Sequence, residues 1–316
     1  MSNERCRLDA KFERSGKIKM NEIQIIQELN LFFDIIIGNF EKSIVAMEIL
    51  YACESEIDNQ RRILILITSY RNILERLDGI RCLCRRRLIE SSMILIRNIY
   101  EILLQLLFLL FPQEQISDKV GCFITWFCDK RIRDIRKYIN EDEGLKTNKS
   151  WKNLLESRIN DYETLKGVYI DKYKMRLDEC NKYNNRKSWY QVYNPKVSTI
   201  YKLSQELDNM KLSPLFPYHY FSSIYQKIYN HLSVVSHGYS VLNSIHTTDD
   251  KEIFIDDIYS LKNVSLEICI LLKLVETYNE CVKNIYPYLK FDELDLLFLK
   301  KIYKDIYEYD KGHYEI

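Results

Sequence analysis

Apolar residues recur at helical spacing over most of the chain. From about Glu22 to Cys53 ("IQIIQELNLFFDIIIGNFEKSIVAMEILYA") the recurrence predicts one long amphipathic helix, with Gly38 as a kink point rather than a stop. A second helix is predicted from about Ile57 to Arg86. A third is centred on "MILIRNIYEILLQLLFLLF", beginning near Leu88 and stopped by Pro112, whose ring cannot continue the backbone ladder. Further helices are expected over about 115–139 and 151–173, separated by the turn-rich "NEDEGLKTNKS". Residues 175 to 197 show no sustained period and contain Asn-Asn and Asn-Pro, which predicts a long ordered loop of the kind that carries function. Helices near 198–207, 218–243, 257–286 and 291–309 complete the pattern. It reads as one helical domain over 21–316, an irregular bundle of about eight or nine helices, preceded by a polar segment over 1–20.

Two of these helices carry polar stripes on apolar bodies. In "YQKIYNHLSVVSHGYS", Tyr225, Tyr229, Ser233 and His237 follow one another at four-residue intervals. Each such step rotates about 40° on a 3.6-residue helix, so the four side chains share one stripe. In the third helix Arg97 and Glu101 sit at i and i+4, with Ile or Leu on most neighbouring positions. Charges in that setting are at least partly buried and need partners to offset their desolvation. Antiparallel packing of the two helices would set Arg97 and Glu101 opposite Tyr229, Ser233 and His237. The carboxylate would then orient the imidazole and raise its pKa, leaving the guanidinium to hold a phosphate. The same seam could instead be a satisfied polar layer that fixes register.

Composition supports the helical reading. The 316 residues include only 8 Gly and 5 Pro, and such scarcity of turn formers favours long helices over many-stranded sheets, so the chain is expected to be all-α. Forty-six basic against 45 acidic side chains leave a formal charge of +1, which excludes a global field drawing in nucleic acid or an anionic membrane. The nine cysteines are scattered without a C-x-x-C, which points to reduced core thiols in a cytoplasmic protein and to no metal site. The basic N-terminus has no apolar stretch of the secretory type. The third helix is apolar enough to invite a membrane reading, but Arg97, Asn98, Glu101 and Gln105 would be expensive in lipid, so no membrane span is expected.

Taken in order, "LIESSMILIRNIYEILLQLLFLL", "SWYQVYNPKVSTIYKLSQEL" and "YHYFSSIYQKIYNHLSVVSHGYS" resemble a bacterial domain family of unknown function. Its pattern is an R-x-x-x-E helix followed by a Y-x-x-x-S-x-x-x-H-G helix, matched here by Arg97, Glu101, Tyr229, Ser233, His237 and Gly238 over roughly residues 60 to 245. More distantly the arrangement is similar to HEPN proteins, all-helical bundles that often dimerise and include metal-independent ribonucleases of toxin, CRISPR and phage-defence systems. That resemblance implies RNA as substrate, a homodimer or a defence-system partner protein, and no cofactor. It also implies His237 as general acid/base, Arg97 as phosphate clamp, Glu101 as orienter, and Tyr225, Tyr229 and Ser233 as substrate contacts. HEPN nucleases carry R-x(4–6)-H on one helix. Here the corresponding positions are Asn230, His231 and Leu232, so the cation has to come from Arg97 on another helix.

The local basic clusters "RCLCRRR" (81–87) and "DKRIRDIRK" (129–137) could touch RNA phosphates, although such runs at helix C-termini more often complement the dipole and face water. The acidic pair Asp256 and Asp257 reads as a solvated helix start. No P-loop, dinucleotide-binding, zincin or α/β-hydrolase fingerprint occurs. Two readings follow: a HEPN-like endoribonuclease or toxin component of a bacterial defence system, and a non-catalytic helical scaffold or sensor whose Arg/Glu/Tyr/His seam is structural.

Overall fold

The computed structural model describes residues 21–142, 144, 148–182, 188–236, 245–247, 253–255, 261 and 264–314. The polar segment over 1–20 and the Asp256–Asp257 pair lie outside them. Among the described residues the chain forms ten α-helices: α1 (Glu22–Cys53), α2 (Ile57–Arg85), α3 (Ile89–Leu110), α4 (Ile116–Glu141), α5 (Lys149–Lys182), α6 (Trp189–Tyr193), α7 (Ile200–Met210), α8 (Tyr220–Ser236), α9 (Val264–Val282) and α10 (Glu293–Tyr314). The architecture is an all-α bundle, with one addition that the hydrophobic pattern did not predict. Strands β1 (Ile245–Thr247) and β2 (Ile253–Ile255) pair antiparallel, Ile245 opposite Ile255, as a short ribbon between α8 and α9.

The helix starts follow local chemistry. Asn21 and Gln24 form a reciprocal capping box at the head of α1, Gln24 N–H donating to Asn21 Oδ1 at 2.9 Å and Asn21 N–H to Gln24 Oε1 at 2.8 Å. Thr199 caps α7 by accepting from Lys202 N–H at 3.1 Å. Along α1, Ile25, Leu29, Phe32, Ile36, Phe40, Ile44 and Met47 form the buried stripe. That stripe lies along α2. Gly79 allows α2 to approach α3, since a Cβ there would fall 2.9 Å from Leu95 Cδ1.

The third helix is the axis of the bundle. α3 is packed by α2, α4, α7, α8 and α9, and from Leu103 to Leu110 nearly every side chain is buried. Among the described residues one helix, Ser91–Leu110, is long and apolar enough to cross a membrane, and here its surface is taken up mostly by neighbouring helices. α10 closes the other side of α1, where Asn39 donates to Asp295 Oδ2 at 2.8 Å and accepts from Asp292 N–H at 3.0 Å.

The expected loop over 175–197 is corrected. α5 starts at Lys149 and runs on to Lys182, and the short helix α6 follows at Trp189–Tyr193. The stretch "DKYKMRLDECNK" contains neither Gly nor Pro and is rich in good helix formers, so it needs no apolar stripe to continue a helix already begun. α5 packs chiefly along α4, forming a two-helix arm. The helix expected from about residue 257 begins at Val264, and the one expected over 218–243 is described from Tyr220 to Ser236.

One buried charge holds the end of the axis. Lys119 of α4 is fully buried, and its Nζ donates to Phe108 O at 2.7 Å and to Phe111 O, two carbonyls at the C-terminus of α3. The ammonium also lies 4.3 Å from the Phe108 ring centroid and 5.3 Å from that of Tyr193. A cation at that end of a helix complements its dipole and supplies donors to carbonyls left without intrahelical partners. Burial pushes the Lys119 ammonium down from 10.5 to about 8, with Glu206 and Glu114 opposing. The folded pKa is below the unfolded one, so between these values the unfolded chain binds more protons and stability contributed at this residue rises with pH. Denaturation of wild type and Lys119→Met across pH 8 to 10.5 is therefore expected to show the difference moving in favour of wild type by up to about 3 kcal/mol. A flat difference would refute the assignment.

Candidate functional site

α8 packs against α3 in the antiparallel sense that the two stripes require. Tyr100 of α3 donates its hydroxyl to Phe221 O at 3.1 Å near the start of α8, and Arg97, one turn earlier on α3, meets Tyr229 two turns later on α8. The start of α8 is fixed from α7. Asp208 accepts from Phe221 N–H at 2.7 Å, Ser222 N–H at 3.1 Å and Ser222 Oγ at 2.6 Å. A carboxylate at the positive end of the helix thus satisfies two of its orphan donors and fixes where α8 begins.

The guanidinium of Arg97 is the centre of the seam. Its Nε donates to Glu101 Oε1 at 3.1 Å, its Nη2 donates to the Tyr229 hydroxyl, and its Cζ lies 3.8 Å from the Tyr229 ring centroid. Both members of the ion pair keep 26% of their side-chain surface exposed, so the pair is reachable from solvent. Tyr225 stacks on Tyr229 with centroids 4.4 Å apart and planes 22° from parallel. Tyr201 of α7 adds a third ring 5.4 Å from Tyr225, and Tyr100 a fourth at 6.5 Å.

The Tyr225, Tyr190 and Tyr100 hydroxyls stay protonated at neutral pH. Burial raises the Tyr225 phenol above 10, with Arg97 opposing and Glu101 and Tyr190 adding to the rise. Burial likewise raises Tyr190, and it raises Tyr100 well above its ordinary value with Asp208 contributing. These groups therefore serve as hydrogen-bond donors and stacking surfaces rather than as bases. Below the seam, Trp189 Nε1–H donates to Gln105 Oε1 at 2.8 Å, and Gln105 Nε2–H to Glu101 O at 3.2 Å. A cavity of about 160 Å³ bounded by Gln105, Trp189 and Phe123 lies next to this chain of bonds.

Of the six side chains singled out by sequence, the structure brings together Arg97, Glu101, Tyr225 and Tyr229. Ser233 lies on α8 but its side chain is outside the described residues, as is His231's, and His237 lies outside them altogether. Sequence reasoning did not identify Tyr201, Asp208, Gln105 or Trp189. The tryptophan stands in the stretch taken as loop, and only the meeting of α6 with α4 gives it a role. The basic clusters are committed elsewhere. Arg81 pairs with Asp34 at 2.7 Å and with Asp78 at 2.5 Å, Arg87 with Glu22 at 2.6 Å, and Arg136 with Glu163 at 3.2 Å. Lys130 and Arg131 lie over the rings of Trp126 and Phe127 at 5.2 and 5.5 Å. Among the described residues no group of three or more His, Cys, Asp or Glu side chains could hold a metal ion.

A family model described as a family of unknown function (DUF5677) matches residues 63–253, more than half of the chain and all of the seam. No curated protein and no solved structure matches.

Asp208 bonds two backbone amides and a hydroxyl, whereas the Tyr229 hydroxyl serves one partly exposed cation. Asp208→Ala is accordingly expected to lower stability by about 2 kcal/mol and Tyr229→Phe by less than about 1 kcal/mol in urea titrations. Equal costs would mean that α8 is anchored by the seam rather than by its cap.

Proposed function

The chain belongs to this family of unknown function, and we propose that it acts on RNA as a metal-independent endoribonuclease centred on the α3–α8 seam. The observation that carries the reading is the Arg97 guanidinium, held by Glu101 beside a stack of tyrosines and still open to solvent. A fixed cation next to aromatic faces is what a nucleotide asks for: charge-assisted bonds for the phosphate and a ring on which a base can lie. In this reading Arg97 clamps the phosphate, Glu101 orients the imidazole of His237, and Tyr225, Tyr229 and Ser233 contact the substrate. His237, two four-residue steps beyond Tyr229, is the general acid/base for 2′-hydroxyl attack. The resemblance to HEPN proteins extends the proposal to a homodimeric cytoplasmic toxin or phage-defence component.

A second reading is favoured by the contacts of the same arginine. Its Nε and Nη2 are already engaged by Glu101 and Tyr229, which suits a structural seam in a scaffold or sensor.

One experiment separates them. Purified protein incubated with RNA in EDTA is expected to cleave it, His237→Ala and Arg97→Gln are expected to abolish cleavage, and the thermal melt of each is expected to stay close to wild type. Because the pair is only partly buried, loss of Arg97 should cost about 1 kcal/mol rather than the 3–5 kcal/mol of a fully buried pair. Intact RNA, or cleavage surviving His237→Ala, would leave the scaffold reading.

A further inference from the structure

α8 has a second face, turned away from the seam. Between it and α9 lies a cavity of about 480 Å³, within the ~300–1,000 Å³ typical of small-molecule sites. Its floor is aliphatic, made by Ile224 and Ile228 of α8 and Ile270 and Leu274 of α9. Its rim carries Lys227, Lys273 and His219.

Among the described residues neither lysine is in an ion pair. The acidic residues further along α9 are taken by other cations, Glu276 by Lys300 at 2.7 Å and Glu280 by Lys283 at 2.6 Å. Two cations therefore border an apolar hollow with no ion-pairing anion among the described residues.

The wall beside them is preorganised. Tyr220 shares a hydrogen bond of 3.0 Å with Thr277 Oγ1 and stacks on Phe216 at 4.4 Å, with planes 4° from parallel. The Lys273 ammonium sits 5.7 Å from the Tyr220 ring centroid. His219 adopts φ 64°, a left-handed conformation uncommon outside glycine, and its ring lies at the rim 4.0 Å from that of Tyr218.

We propose that this cavity binds an amphipathic anion, a carboxylate or phosphate monoester on an aliphatic body. The body lies on the Ile224, Ile228, Ile270 and Leu274 floor, and the head group is held between Lys227 and Lys273. An aliphatic floor gains from burying a hydrocarbon chain, and paired ammonium groups select a charged head over a neutral one. This site is separate from the α3–α8 seam and does not depend on its chemistry.

The test uses octyl phosphate, octanoate and octanol as probes of the full-length protein by calorimetric titration. One-to-one saturable binding of the two anions is expected, with octanol weaker by about tenfold or more. Lys227→Met/Lys273→Met should weaken the anions by about tenfold or more and leave octanol unmoved. Ile270→Trp, which fills the hollow, should abolish binding of all three. The substituted lysines are exposed, so unchanged melts are expected for the double variant. Absence of saturable anion binding, or binding unaffected by the double variant or by Ile270→Trp, would overturn the proposal. Sedimentation with phosphatidic acid-containing vesicles distinguishes the source: capture lost in the double variant identifies a bilayer lipid, and octyl phosphate binding without capture identifies a free amphiphile.

Discussion

A helix buried on almost all sides has to leave its polar exceptions to its neighbours. α3 is that helix, and the structure around it follows from how each exception is met. At its C-terminus the carbonyls of Phe108 and Phe111 receive the Lys119 ammonium, and the Leu110 carbonyl receives the Tyr286 hydroxyl at 3.0 Å. Near its N-terminus Ser92 donates to the buried carboxylate of Glu267 on α9. In its middle the Tyr100 hydroxyl reaches the backbone of α8, and Gln105 joins Trp189 of α6. Each bond ties α3 to a different part of the chain. Hydrophobic burial drives the assembly, and these few bonds specify which arrangement of an all-apolar surface is adopted.

The Arg97–Glu101 seam differs from the other exceptions in one respect. Lys119 and Glu267 are enclosed, whereas Arg97 and Glu101 stand where α3 emerges toward α8 and water reaches both side chains. Enclosed charges are accounted for by the bonds they make. A charge at the edge of a core, beside stacked rings, retains capacity for an external partner. The contrast between these three sites on one helix is what singles out the seam.

Much of this was legible in the sequence, for reasons that can be stated residue by residue. The apolar recurrences of α1, α2 and α3 mark them as helices in a chain poor in Gly and Pro, and Pro112 marks where α3 has to stop. The seam was legible because Arg97–Glu101 and Tyr225–Tyr229 both use the four-residue step, so one register satisfies both stripes. Asp208 and Tyr201 were not, since their role depends on where α7 is placed in space and no local spacing encodes it. Lys119 could not be told from a surface lysine, because the carbonyls that hold it belong to another helix. The second half of α5 was mistaken for loop because "DKYKMRLDECNK" is mostly polar and continues the helix by propensity, which leaves no apolar period to read. The β1–β2 ribbon is too short, at three residues a strand, to impose an alternation that can be read.

The α4–α5 arm has a consequence of its own. The first half of α4 is built into the body through Val120, Cys122, Ile124 and Cys128, while beyond Ile132 its side chains are partly or fully exposed and α5 is its main companion. The backbone amides of the distal arm are thus protected from deuterium exchange chiefly by each helix's grip on the other, and those of α3 by the whole bundle. Exchange should divide the molecule into two cooperative units, the arm opening on its own and the axis only when the protein unfolds as a whole. The boundary between them falls between Cys128, the last α4 side chain in the main core, and Ile132, the last buried one before the exposed turns of the arm.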